Sequence, residues 1–182
     1  MSRMKYRSLH RSKGFNLIEA MVALVIISVG LLGIAKMQAL AMASTGSAKM
    51  RSLAALEAAS LASALRADRT YWSNVTVNTI VTFQDGAVKT STDGALLATP
   101  ICESANACST ATDMVAYNLT NWAKELAAQM PQNTAILTCA AGTATAPVTC
   151  TLVLNWAENR VAINSQANPT PLANTYTLYV EP

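Results

Sequence analysis

The run from Ala20 to Ala35 holds sixteen residues and no charge, and it constrains the chain more than any other stretch. Counted from Phe15 the segment is 21 residues long, and at about 1.5 Å per residue a helix of that length just crosses a hydrocarbon core of roughly 30 Å. Arg3, Lys5, Arg7, Arg11 and Lys13 precede it with no acid among them. Basic residues flanking a membrane helix stay on the cytoplasmic side, so the remainder of the chain is expected to be exported. The run has no convincing small-residue cleavage site and is long for the apolar part of a removable secretory peptide, which favours a retained anchor.

Glu19 is the one charge inside this segment. A carboxylate in a membrane helix costs about 2.5–3.5 kcal/mol, so a cationic partner is expected. If the chain is cut after Gly14, Phe15 carries a new amine, and Glu19 of one subunit can neutralise the amine of its neighbour. The alternative is a plain anchor in which Glu19 snorkels to the interface or pairs with Lys13.

A basic leader ending in Gly14, then Phe15-Asn16-Leu17-Ile18-Glu19 and an apolar run, resembles the class III signal of type IV pilins. The resemblance implies that a prepilin peptidase cleaves after Gly14 and N-methylates Phe15. It also implies contacts with other minor pilins, the major pilin, the inner-membrane pilus assembly machinery and membrane lipid. The implied location is the bacterial inner membrane, N-terminus cytoplasmic and C-terminal part periplasmic, and then the assembled pilus. Asn16 stands where the family usually has Thr or Ser. The motif does not separate pilins from the pseudopilins of type II secretion.

No proline occurs before Pro100, so nothing obliges the anchor helix to stop. From Lys36 to about Asp68, Met50, Leu53, Leu56, Leu61, Ala64 and Leu65 recur at roughly three- and four-residue spacing, with Lys36, Lys49, Arg51, Glu57, Arg66 and Asp68 assigned to the other face. One helix of about 50 residues is expected. Thr70 to Ala111 reads as a loop with short strands at 75–77 and 80–83 and turn pairs Asp85-Gly86 and Asp93-Gly94. A second helix is expected over 112–130, with Met114, Val115, Leu119, Trp122, Leu126 and Met130 on one stripe and Pro131 ending it. Three β-runs, 135–139, 148–156 and 175–180, predict an antiparallel sheet, and Asn164 to Asn174 a surface loop.

All four cysteines lie beyond the anchor, in an oxidising compartment, where an even count points to two disulfides. Cys102 and Cys108 enclose five residues, the wrong spacing for a Cys-x-x-Cys redox or zinc site. Cys139 and Cys150 fall on neighbouring β-runs. Of the three connectivities, 102 with 108 and 139 with 150 needs the least loop closure, and the other two stay open.

Leader removal takes five of the 13 basic residues, leaving 8 against 10 acidic, net −2. No phosphate-binding stripe remains, so no nucleic-acid partner is expected. The only histidine, His10, is in the leader, and there is no Walker loop, no Gly-x-Gly-x-x-Gly and no calcium-loop spacing. No enzyme activity, cofactor or metal is expected.

Ala116-Tyr117-Asn118-Leu119 with Trp122 and Leu126, following a cysteine pair, is similar to the PilV subgroup of minor pilins. Together these readings predict an α+β type IV pilin fold: a long N-terminal helix packed on a small antiparallel sheet, with a second helix and a disulfide-containing loop. The expected divisions are a cleaved leader (1–14), a transmembrane helix (15–35), its amphipathic continuation (36–69) and a globular head (70–182). The function implied by the resemblance is a minor pilin that primes or caps type IV pili and supports twitching motility and adhesion. The alternatives are a minor pseudopilin of type II secretion and an adhesin or DNA-uptake pilin.

Overall fold

A computed structural model describes residues 16–100, 102, 108–130, 132–158 and 172–182. The leader with Gly14 and Phe15, Pro131, and 164–171 of the expected loop lie outside the described residues. The chain divides into two compact units, Met1–Met42 and Ala43–Pro182. Helix α1, Leu17–Ala67, is 51 residues long, as an Ala- and Leu-rich stretch without proline allows. In the first unit every large apolar side chain from Leu17 to Ile34 is exposed. A helix that is apolar on all sides is suited to lipid or to a bundle of similar helices, not to water.

The second unit is built on a five-stranded antiparallel sheet ordered β2-β1-β3-β4-β5. The strands are β1 Thr79–Gln84, β2 Ala87–Ser91, β3 Thr134–Ala140, β4 Thr149–Glu158 and β5 Leu172–Val180. Alternation along β3 and β4 sends Ala135, Leu137, Cys139, Cys150, Leu152, Leu154 and Trp156 to one buried face. Against that face pack Ala54, Ala58, Leu61, Ala62 and Leu65 of α1, together with Val115, Leu119, Trp122 and Leu126 of α3, Ala111–Gln129. The result is the expected pilin-like α+β arrangement, with two more strands than the three tail runs supply.

Those two strands are a hairpin. Asp85 and Gly86 turn it with φ of 51° and 73°, both in the left-handed region that two-residue hairpin turns require and that an Asp-Gly pair tolerates. Gly86 also sits close to α3: a Cβ there would lie 3.4 Å from Ala127 Cβ. The run 75–77 is not a strand, because the Val75 amide bonds back to the Trp72 carbonyl at 3.3 Å and completes the turn after α2, Arg69–Trp72. At the other end, β5 takes in Leu172 to Asn174, three residues of the expected loop, since β4 extends to pair Glu158 with Leu172.

The phase of α1 also differs from the sequence reading. Leu56 is 62% exposed, whereas Glu57 is 4% exposed. At 100° per residue Leu56 points about 200° away from Ala54, and the buried stripe is the small-residue row Ala54, Ala58, Ala62 beside Leu61 and Leu65. On α3, Met114 is likewise exposed while Trp122 is buried. That helix starts where the Thr110 hydroxyl accepts from the Asp113 amide at 3.1 Å. It ends where the buried Asn133 side-chain amide donates to the carbonyls of Leu126 and Met130.

Candidate functional site

The candidate site begins at the first turn of α1. The Asn16 carbonyl accepts from the Glu19 amide at 2.9 Å and the Ala20 amide at 3.3 Å, which sets the helix entry. Glu19 is the acidic residue of that first turn, where the unpaired amides at a helix N-terminus favour a carboxylate. Its side chain is exposed and makes no hydrogen bond or ion pair among the described residues. Gly14, Phe15 and Lys13, the other residues of the proposed processing site and the competing cation, lie outside the described residues. The helix from Leu17 to Ala67 is long and apolar enough to cross a membrane near the N-terminus.

The cysteines form a separate group in the second unit. Cys139 and Cys150 are direct partners across β3 and β4, with Cα atoms 4.0 Å apart, and are joined by a disulfide on the buried face. Cys102 and Cys108 are joined with Cα atoms 5.3 Å apart. No cysteine is left as a thiol, so the cysteines act as staples.

Polar contacts that no sequence pattern signals hold the long helix to the rest of this unit. Ser47 Oγ of α1 donates to Glu158 Oε2 at 2.7 Å, and Trp156 Nε1 donates to Glu158 Oε1 at 2.9 Å. Burial pushes the Glu158 carboxyl up, but the Ser47 and Trp156 donors, the Arg51 charge and Asn174 outweigh it, and the net shift is downward. Asn118 Nδ2 of α3 donates to Asp68 Oδ2 at 2.8 Å. Glu57 is the opposite case: burial, and then the charge of Glu125, raise its carboxyl above the ordinary range. Among the described residues no three His, Cys, Asp or Glu side chains cluster to hold a metal.

A family model described as the prokaryotic N-terminal methylation motif matches residues 9–35. No curated protein and no solved structure matches the chain. The matched residues run from the end of the basic leader through Gly14, Phe15 and Glu19 and along the exposed apolar part of α1. The match supports a type IV pilin-like protein, pilin or pseudopilin, that is anchored in a membrane and associated with a pilus. A motif of this kind implies processing by a prepilin peptidase, and the proteins that carry it are structural.

Proposed function

We propose that the chain is a minor pilin that helps initiate type IV pili, in a priming or tip complex with other minor pilins, and so supports twitching motility and adhesion. The observation that carries this reading is the methylation motif over 9–35 leading directly into a helix whose apolar side chains are exposed on all sides. Residues 1–14 are the leader and 15–35 the membrane span; 36–69 continue the helix and 70–182 form the periplasmic head. The peptidase cuts between Gly14 and Phe15 and methylates Phe15. Glu19 then serves assembly: an acid with no partner among the described residues of its own subunit receives the Phe15 ammonium of a neighbour entering the bundle. The similarity of Ala116 to Leu126 to the PilV subgroup favours a pilus over secretion. The motif alone supports a minor pseudopilin of type II secretion equally well.

Two experiments test this reading. In Glu19→Ala, processing followed by intact mass is expected to be normal, because the peptide bond after Gly14 is untouched. Recovery in sheared pili or cross-linked minor-pilin complexes is expected to collapse, because the neighbour's ammonium loses its counter-ion. Wild-type recovery would reduce Glu19 to a tolerated polar residue at the membrane boundary. Deletion of the whole chain is expected to abolish surface pili and leave type II secretion intact, and the reverse phenotype would assign it to the pseudopilins.

A further inference from the structure

The second unit contains an open depression, lined by polar and apolar surface in nearly equal parts, that assembly through α1 leaves unused. It has a volume of about 510 Å³ and lies between α2, residues 74–77, the ends of the β1–β2 hairpin and the first turn of α3. That size is within the range of small-molecule sites. Five of its described lining residues are threonines, and Asp93 is the one charged residue among them.

The hydrogen bonds show which of these groups are committed. Tyr71 Oη donates to Asp93 Oδ2 at 2.5 Å and the Ala95 amide donates to Asp93 Oδ1 at 3.0 Å, which fixes the carboxylate in place. A carboxylate can accept about four hydrogen bonds, so roughly two sites remain. Asn74 Nδ2 donates to the Thr70 carbonyl at 2.7 Å, and its Oδ1 is uncommitted. The hydroxyls of Thr70, Thr76 and Thr112 make no hydrogen bond with any described residue. Three donor–acceptor hydroxyls, one amide oxygen and one oriented carboxylate therefore border a single space. Val77, 65% exposed, and the half-buried ring of Tyr71 supply apolar surface beside them.

We infer that this cavity binds a neutral saccharide. No lysine or arginine is among its described lining residues, so a phosphate, sulfate or carboxylate would meet the repulsion of Asp93 with no cation among those residues to offset it. A divalent cation would find a single carboxylate whose two oxygens already accept hydrogen bonds. An apolar ligand would strip water from the hydroxyls and replace none of their bonds. A sugar ring carries neighbouring hydroxyls that both donate and accept, plus a C–H face for Val77 and Tyr71, and it matches every group present. This site goes beyond the assembly role and does not depend on whether the chain enters a pilus or a pseudopilus.

The test is saturation-transfer NMR on the full chain in dodecylphosphocholine micelles, a detergent with no sugar head group, using glucose, galactose, N-acetylglucosamine and glucuronate. At least one neutral sugar is expected to bind with a dissociation constant on the order of 1 mM. The double variant Thr76→Val/Thr112→Val keeps side-chain shape and removes two hydroxyls, and should weaken that binding by about tenfold with an unchanged circular dichroism spectrum. Thr138→Val, exposed on the sheet, should leave it unchanged. No transfer from any neutral sugar at about 50 mM overturns the inference. So does equal binding by the double variant, or tighter binding of glucuronate than of every neutral sugar.

Discussion

The indole Nε1 of Trp122 donates to the backbone carbonyl of Glu57 at 2.9 Å, while the Glu57 side-chain Oε2 is buried and has no partner. Helix α3 is thus fastened to α1 at the place where α1 buries an acid. Trp122 also meets Phe83 of β1 edge-on, with ring centroids 5.0 Å apart, so a single side chain links both helices and the sheet. Trp122→Ala is expected to lose about 3–5 kcal/mol, as large-to-small core substitutions do. Trp122→Phe keeps the aromatic contact and loses the hydrogen bond, and should cost roughly 1 kcal/mol. Urea unfolding of the detergent-solubilised chain, followed by near-ultraviolet circular dichroism, distinguishes the two. Equal losses would mean that the hydrogen bond, not the packing, dominates.

Glu57 gives a pH dependence of definite sign. Its folded carboxyl is raised by burial and by Glu125, so the folded state holds the proton more tightly than the unfolded chain. The corresponding stability is fully present below the ordinary carboxyl value of 4.5 and is lost as pH rises through the raised folded value. Glu57→Gln should therefore be more stable than wild type at pH 7, by less than about 1 kcal/mol because solvent screens part of the effect, and gain little at pH 4. Thermal midpoints at the two pH values read the difference. A loss at pH 7 would show that the ionised carboxylate has a favourable partner.

The features that sequence periodicity reveals are the local ones. Helix α1, the buried Trp122 and the opposition of Cys139 to Cys150 all follow from spacing within a few turns or one hairpin. The attachment of the β1–β2 hairpin to the rest of the sheet is a different case: Thr79 pairs with Cys139 across sixty positions, and no window of sequence carries that pairing. Ser47 and Glu158 are separated by 111 positions, and neither type signals the other. The misassigned pair Leu56 and Glu57 has a physical cause as well. Hydrophobicity placed Leu56 inside, but the close approach of α1 to the core is made by alanines, and that fixes a phase in which an acid is buried. Gly14, Phe15 and Glu19 are readable as a signal, and in the proposed assembly role the partner of Glu19 belongs to another subunit.

Glu158 should behave oppositely to Glu57. Although burial raises its carboxyl, the donors Ser47 and Trp156, with Arg51 and Asn174, bring the net shift below the ordinary value. Its contribution is present above 4.5 and is lost as pH falls through the depressed folded value. Ser47→Ala removes the 2.7 Å donor and should reduce stability at pH 7 by less than about 1 kcal/mol, since water screens this partly exposed carboxylate. The deficit should shrink as pH falls through the depressed folded value, below which the carboxyl is protonated in both proteins. A deficit that persists there would assign the effect to helix packing around Ser47.

The disulfide across β3 and β4 has a different task from the one in the 102–108 segment. Cys139 and Cys150 lie on the core face, 0% and 1% exposed, one residue from the end of the β3–β4 ladder, and they close a chain separation of 11. Closing a loop of that size in the unfolded chain is worth about 2–4 kcal/mol. Cys139→Ala/Cys150→Ala should lose that amount and a further increment for the apolar volume removed from beneath α1. Cys102→Ala/Cys108→Ala opens a loop whose bond spans a separation of only 6 at partly exposed positions, so its loss should be smaller. Non-reducing peptide mapping followed by urea unfolding of each double variant checks both statements. A larger loss for the 102–108 pair would mean that this segment, and not the sheet, limits the stability of the second unit.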